Sequence, residues 1–301
     1  MQNFKTPVLF LIFNRPDTTQ KVFDAIRKQQ PKYLYVAADG ARKHKAGEAE
    51  IVQQTRDILK QVDWDCDVKT LFRDENLGCK IAVSSAITWF FEHVEQGIIL
   101  EDDCLPDPSF FPFCEELLER YKHDTRIGHI GGNNFLPGIV DKALSYDFCS
   151  YSHIWGWATW RRAWAHYDVD FSFWNEQKNK RDMLFCNTRD KIYFSSFIPD
   201  AIFNRNGLNT WDTQWLFTLR LQKQLSIYPA VNLVANIGFD TPDSTHTYVK
   251  SEKDPASSST AISFPLKHPE HILRNKKIDD KTVKKSFFSW KRFVRYLLNN
   301  Y

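Results

Sequence analysis

The stretch QGIILEDDCLPDPSFFPF, residues 96–113, joins a short apolar run, Gly97 to Leu100, to three consecutive acids, Glu101, Asp102 and Asp103. The run reads as the end of a buried strand. Asp107 and Pro108 then lead into a helix that CEELLERY continues. A strand that crosses a core does not end in three adjacent negative charges without something to neutralise them.

Working outward, the first ~130 residues alternate strand and helix patterns. PVLFLIF (7–13) is a continuous apolar run suited to a strand covered on both faces. DTTQKVFDAIRKQ (17–29) follows as a helix, with Asp17 or Thr18 as its cap and Val22, Phe23 and Ile26 at helical spacing. KYLYVAADG (32–40) and CDVKTLFRDEN (66–76) are further strands, and AGEAEIVQQTRDILKQV (46–62) and GCKIAVSSAITWFFEHVE (78–95) are helices. This alternation predicts an α/β chain with a Rossmann-like, mostly parallel sheet, right-handed crossovers and flanking helices. Ligands of such sheets sit at the carboxyl ends of the strands. The residues expected there are Asn14-Arg15, Asp39-Gly40, Arg73-Asp74 and Glu101-Asp102-Asp103.

The middle of the chain is less regular. IGHIGGNNFLPG (127–138) reads as a strand and loop, and YSHIWGWATWRRAWAHYD (151–168) places four Trp within Trp155–Trp164. A helix is expected from Thr213, with Asp212 as cap or free acid. No linker divides the chain cleanly. One domain over 1–272 is expected, with a nucleotide-binding half at 1–130 and an acceptor-side half at 131–272, followed by a basic segment at 273–301.

The net charge of +3 conceals an asymmetry. Residues 274–301 hold nine Lys/Arg against two Asp, leaving 31 basic and 35 acidic residues elsewhere. An acidic body without a recognition motif argues against nucleic acid as a partner. The six cysteines form no C-x-x-C pair, which fits free thiols in a reducing cytoplasm and argues against a zinc site. No 18-residue apolar run is present. In the tail, Phe287, Trp290, Val294, Leu297 and Leu298 share one helical face and Lys284, Lys285, Lys291, Arg292 and Arg295 fall mostly on another. Such a basic amphipathic helix either packs on the body or lies on an anionic membrane surface.

Adjacent carboxylates repel, and a hard divalent cation such as Mn²⁺ or Mg²⁺ removes the problem while binding phosphates. The triplet therefore suits metal-bridged binding of a diphosphate.

With these segments in place the chain resembles the GT-A glycosyltransferases. PVLFLIFNRPDTTQKVFDAI, YVAADGAR, NLGCKIAVSSAITWFF and GIILEDDCLPDPSFFPFCEELLERY are similar in order and spacing to the inverting group around animal N-acetylglucosaminyltransferase I and its bacterial relatives. The resemblance spans roughly residues 6–250. It implies the GT-A nucleotide-diphospho-sugar transferase fold and a metal-dependent, inverting transfer. The sugar would pass from a nucleotide sugar, a UDP-sugar first among them, to a hydroxyl of a glycan or lipid-linked acceptor in surface polysaccharide assembly.

By position, the resemblance implies nucleotide contacts from Asn14 and Arg15, a uracil contact from Asp39 and a donor-side place for Lys80. It makes Asp103 the metal ligand and Asp102 a ribose or donor-sugar contact, with Glu101 shaping the site. NTWDTQW supplies the catalytic base, Asp212, although the family member compared has two adjacent acids there and this chain has one. DSTHT supplies Ser244 and His246 to the diphosphate or metal. Trp157 or Trp160 is expected to stack on an acceptor sugar, with core packing as the alternative. A non-catalytic nucleotide-sugar binder and a metal-dependent phosphoesterase are the competing readings.

Overall fold

Val8–Ile12 (β1) is buried at every position. Its side chains enter two cores alternately, Val8, Phe10 and Ile12 on one face and Leu9 and Leu11 on the other. A strand covered on both faces needs an unbroken apolar run, which is what the sequence supplies. Tyr33–Ala38 (β2) and Gln96–Glu101 (β4) flank it in parallel, with Leu9 opposite Tyr35 on one side and Ile99 on the other. Asp67–Phe72 (β3) extends the sheet beyond β2. The computed structural model describes residues 4–202, 209–238 and 257–287.

Helices cover both faces. Pro16–Gln29 (α1) and Phe110–Arg120 (α4) pack Val22, Phe23, Ile26, Phe110, Leu117 and Leu118 into the first core. Glu48–Asp57 (α2) lies beside α1. Gly78–His93 (α3) packs Ala86, Ile87, Phe90 and Phe91 into the second. The expected cap at Asp17 or Thr18 is not used: α1 opens with Pro16 at its first turn and has no side-chain cap. Proline is preorganised for that position, and its missing N–H is one of the helix's unpaired donors in any case.

Ile127–Gly131 (β6), Tyr146–Cys149 (β7), Trp157–Trp160 (β8) and Leu225–Pro229 (β9) complete an eight-stranded sheet of order β3-β2-β1-β4-β8-β6-β9-β7. Only β8 and β7 run against the others. The architecture is thus the expected α/β one, a Rossmann-like, mostly parallel sheet flanked by helices. Cys104–Pro106 (β5) and Val234–Asn236 (β10) form a separate antiparallel pair. Arg161–Trp164 (α5), Ser172–Glu176 (α6), Thr188–Ile202 (α7), Asp212–Leu221 (α8) and Lys276–Thr282 (α9) complete the described helices. None of them is long and apolar enough to cross a membrane.

The tryptophan-rich segment builds core. Trp157 is fully buried and its ring meets those of Trp211, Trp215 and Trp164 at 5.7, 5.6 and 6.3 Å. Trp160, 2% exposed, lies in the first core and donates its indole N–H to the Leu118 carbonyl at 3.1 Å. Neither ring is open to a sugar, so the expectation of acceptor stacking on Trp157 or Trp160 is corrected. The physical reason is β8 itself, an interior strand with covered faces.

His129 on β6 stacks on Trp157 at 5.1 Å and accepts the Trp215 indole N–H at Nδ1, while its Nε2 donates to the His153 carbonyl. It thereby pins α8 and the loop before β8 to the sheet. Burial pushes His129 down to about 3 and His153 down to about 4. As pH falls below 6.5 the unfolded chain takes up protons that the folded chain refuses. The contribution of both groups is therefore full above about pH 6.5 and is lost on acidification. Buried acids discussed below act in the opposite sense, so the clean observable is a difference. His129→Gln keeps a donor and an acceptor but does not titrate. Its stability deficit against wild type, read by denaturant unfolding, is expected to shrink below pH 6.5 by up to about 1.4 kcal/mol per pH unit. A deficit constant with pH contradicts this account.

The start of the basic tail belongs to the body. Ile278 and Val283 are fully buried in a third core with Tyr151, Phe194 and Phe217. Asn275 caps α9, and Asp279 accepts the Ser150 N–H at 2.9 Å. Trp290, Val294, Leu297 and Leu298 lie outside the described residues, as do Lys291, Arg292 and Arg295.

Candidate active site

Six strands running one way bring their carboxyl ends to one edge. A cleft of about 940 Å³ opens there. Its floor carries Asn14 and Arg15 after β1, Asp39 and Arg42 after β2, Arg73 and Asn76 after β3, and Glu101, Asp102 and Asp103 at the end of β4. The facing wall is made by α7, with Tyr193, Phe194 and Phe197, and by the start of α8, with Trp211, Asp212 and Thr213. The structure thus gathers Asn14, Arg15, Asp39, Glu101, Asp102, Asp103 and Asp212 around one space. Ser244 and His246 lie outside the described residues.

Within the protein the triplet is countered by Arg15. Its Nη1 donates to Asp103 Oδ2 at 2.8 Å and lies 3.8 Å from Asp102 Oδ1. The Phe13 N–H donates to Asp102 Oδ2 at 3.2 Å. Burial pulls Arg15 down, but Asp102 and Asp103 outweigh it and keep the guanidinium charged. Among the described residues one cation meets the three acids and does not balance them. Burial, then the charge of Asp103, pushes Asp102 up to about 7. Burial drives Glu101 well above the carboxylate range, with Asp103, Asp102 and Asp212 adding to it. At neutral pH the cluster therefore holds protons that a cation could replace. Space for Asp103 depends on Gly238, whose Cβ, were it present, would sit 2.3 Å from Asp103 Oδ2.

Asp212 occupies the first turn of α8, with Trp211 as the residue before the helix. Its Oδ1 accepts the Thr213 N–H at 2.8 Å and the Thr210 hydroxyl. Among the described residues no donor meets its Oδ2. The carboxylate is thus oriented through Oδ1.

Asp39 differs from expectation. Its carboxylate accepts from the N–H groups of Gly40, Leu77 and Gly78 and from Asn76 Nδ2, all at 2.9–3.1 Å. A carboxylate offers about four lone-pair sites. These are filled by the turn that starts α3, so Asp39 positions that turn and has little capacity left for a uracil edge. Gly78, at φ +75°, allows the turn and lets Asn209 approach. Asn209 Oδ1 then accepts the Lys80 N–H at 2.8 Å. The cleft lining passes from Cys79 to Ala82 without Lys80. The donor-side role expected of Lys80 is therefore not supported by its position.

Several residues were not signalled by sequence. Glu48, whose side chain is fully buried, accepts from the Arg42 guanidinium, from the Arg42 N–H at 2.7 Å and from Asn14 Nδ2 at 2.9 Å. The Arg42 hydrogen bonds hold Glu48 down at about 2 despite burial. This knot fixes the loops after β1 and β2 against each other. Asn133, fully buried, accepts the Trp155 N–H and donates to the Val234 carbonyl. Each joins residues distant in the chain, so no local spacing announces them.

The donor set suits a hard divalent cation. Among the described residues no three ligating side chains converge. Mg²⁺, however, is commonly held by one or two carboxylates and completed by substrate phosphates and water. Asp103 Oδ1, whose partner is the Cys104 thiol at 3.5 Å, fits that pattern.

No protein-family model matches the chain, and no curated protein matches it. Among solved structures it is similar to HddC from Yersinia pseudotuberculosis, at 10% identity and a TM-score of 0.32, covering 52% of this chain and 78% of that one. It is also similar to 4-diphosphocytidyl-2C-methyl-D-erythritol synthase from Anaerococcus prevotii, at 10% identity and a TM-score of 0.34, covering 64% and 84%. Similarity at this level carries no functional argument. The fold assignment rests on strand order and direction.

Proposed function

We propose that the cleft binds a nucleotide-diphosphate sugar, a UDP-sugar in the first instance, and that the chain is a GT-A glycosyltransferase. It would transfer the sugar with inversion to a hydroxyl of a glycan or lipid-linked acceptor, on the cytoplasmic side of surface polysaccharide assembly. The observation that carries this reading is the meeting of Arg15, Asp102 and Asp103 with Glu101 and Asp212 in one cleft at the carboxyl edge of the sheet.

Arg15 would bind the diphosphate and place a fixed positive charge beside it as the bond to the sugar breaks. Asp212, held through Oδ1, would take the acceptor proton at Oδ2. Mn²⁺ or Mg²⁺ would be held by Asp103, with Asp102 beside it, and when bound supplies neutralising charge to the diphosphate. Ser244 and His246 keep their proposed place near the diphosphate.

A thermal-shift screen of nucleotide sugars, with and without Mn²⁺, tests the substrate class. A stabilisation of several degrees by one nucleotide sugar that requires the metal is expected. Equal melting temperatures throughout the screen argue against a nucleotide-sugar enzyme.

A further inference from the structure

Asp67–Phe72 (β3) is the outermost strand of the sheet, with β2 on one side and no described strand on the other. The Asp67 and Arg73 N–H groups donate to the Lys32 and Ala38 carbonyls, toward β2. Alternation along the strand then turns the N–H and C=O groups of Val68, Thr70 and Phe72 to the open side. All three residues are exposed. An open row of this kind is a template for another strand.

The edge is also apolar. Val68 and Phe72 on β3, and Leu77 and Ile81 at the start of α3, are each 36–40% exposed. Ile81 stands one turn from Ser85, whose hydroxyl accepts Arg73 Nη2 at 2.7 Å, so this side of α3 flanks the edge. β3 holds no proline and pairs with β2 without a bulge along its whole length. Its only lysine, the residue type that most often guards an edge, is Lys69.

The stretch DVKTLFR, residues 67–73, is complementary to its own reverse. With two copies antiparallel and Thr70 of each on a twofold axis, Asp67 faces Arg73, Val68 faces Phe72 and Lys69 faces Leu71, each pair occurring twice. The outward backbone groups of Val68, Thr70 and Phe72 meet one another in this register, so the ladder bonds close. A register centred on Lys69 opposes that residue to itself, and one centred on Leu71 opposes Lys69 to Arg73. Like charges directly opposite are destabilising. Among the described residues neither Asp67 nor Arg73 forms an ion pair within its own chain.

We infer that β3 pairs with β3 of a second copy of this chain, antiparallel about Thr70, in a twofold dimer whose two sheets run on as one. Each contact is then made twice, as in any isologous interface. The inference does not depend on the reaction proposed for the cleft.

The test is sedimentation-velocity ultracentrifugation of the full chain over a concentration series. A monomer–dimer equilibrium is expected for wild type. Asp67→Arg and Arg73→Asp should each weaken association roughly tenfold or more, because each sets two like-charged pairs face to face. An equimolar mixture of these two variants should recover wild-type association, since in the mixed dimer every arginine again meets an aspartate. Thr70→Lys places two like charges on the axis at an exposed position. It should abolish the dimer, and it carries the test if a charge variant fails to fold by circular dichroism.

Wild type that sediments as a monomer throughout the series overturns the interface. A dimer that all three substitutions leave intact overturns it too, because the contact then lies elsewhere. A mixture that associates no better than its two components contradicts the register about Thr70.

Discussion

Asp212→Asn is expected to lower sugar transfer by about 10²- to 10⁴-fold, the usual contribution of a positioned general base. The substitution keeps the size of the side chain and an oxygen to accept the Thr213 N–H, so α8 retains its start. It removes the basicity of the oxygen that meets no donor among the described residues. Donor affinity should be unchanged, because on the proposed function the diphosphate would be bound across the cleft by the Arg15 and Asp103 group. Single-turnover rates at saturating donor and acceptor separate the two effects. Turnover within a few-fold of wild type would remove Asp212 from the mechanism.

The second large effect concerns stability. Arg220, 5% exposed, pairs with fully buried Asp190 at 2.9 Å and lies within about 5 Å of the Tyr151, Phe194 and Phe217 rings. Asp190 also accepts from the Tyr151 hydroxyl and from the Cys186 N–H at 2.7 Å. The pair ties the start of α7 to the end of α8, the two helices that wall the cleft. Arg220→Met leaves a buried carboxylate without its cation. Breaking such a pair costs about 3–5 kcal/mol, whereas exchanging both partners for apolar residues is often nearly neutral. Equilibrium unfolding should show that loss in Arg220→Met and recovery of much of it in Asp190→Leu/Arg220→Met. A loss below about 1 kcal/mol in the single variant, or no recovery in the double, contradicts the assignment.

β1, β2 and β4 were legible because parallel strands buried on both faces write themselves as apolar runs, whereas β3, DVKTLF, is a partly exposed edge strand placed by the β-α alternation around it. The carboxyl-edge residues followed from the strand ends, and Asn14, Arg15, Glu101, Asp102 and Asp103 do share one cleft, with Asp212, which only the resemblance pointed to, on its facing wall. Composition misled where burial decides the role. For Trp157 and Trp160 the sequence leaves sugar stacking and core packing both open, and the two-residue period of a strand, which places positions three apart on opposite sides, sets each against a core. Asp39 was legible as a strand-end acid. Its saturation by the Leu77 and Gly78 N–H groups was not, since those donors come from nearly forty residues away. The same holds for Glu48, which meets Asn14 only because the sheet sets the loops after β1 and β2 side by side.

Arg15 shows how structure changes the electrostatic question. The triplet is not left to solvent or to a metal alone, because a guanidinium already bridges Asp102 and Asp103. What it leaves is excess acidity, expressed as raised proton affinity at Asp102 and Glu101. A cation arriving with a diphosphate would displace those protons, and its affinity should therefore rise with pH.

Isothermal titration calorimetry of UDP into wild type and Asp103→Ala, each with and without Mn²⁺, tests the central claim most directly. Saturable binding to wild type that requires Mn²⁺ and is lost in Asp103→Ala is the predicted result. UDP heats that are the same in all four titrations, or absent from wild type with Mn²⁺, would contradict a metal-assisted nucleotide-sugar site at the end of β4.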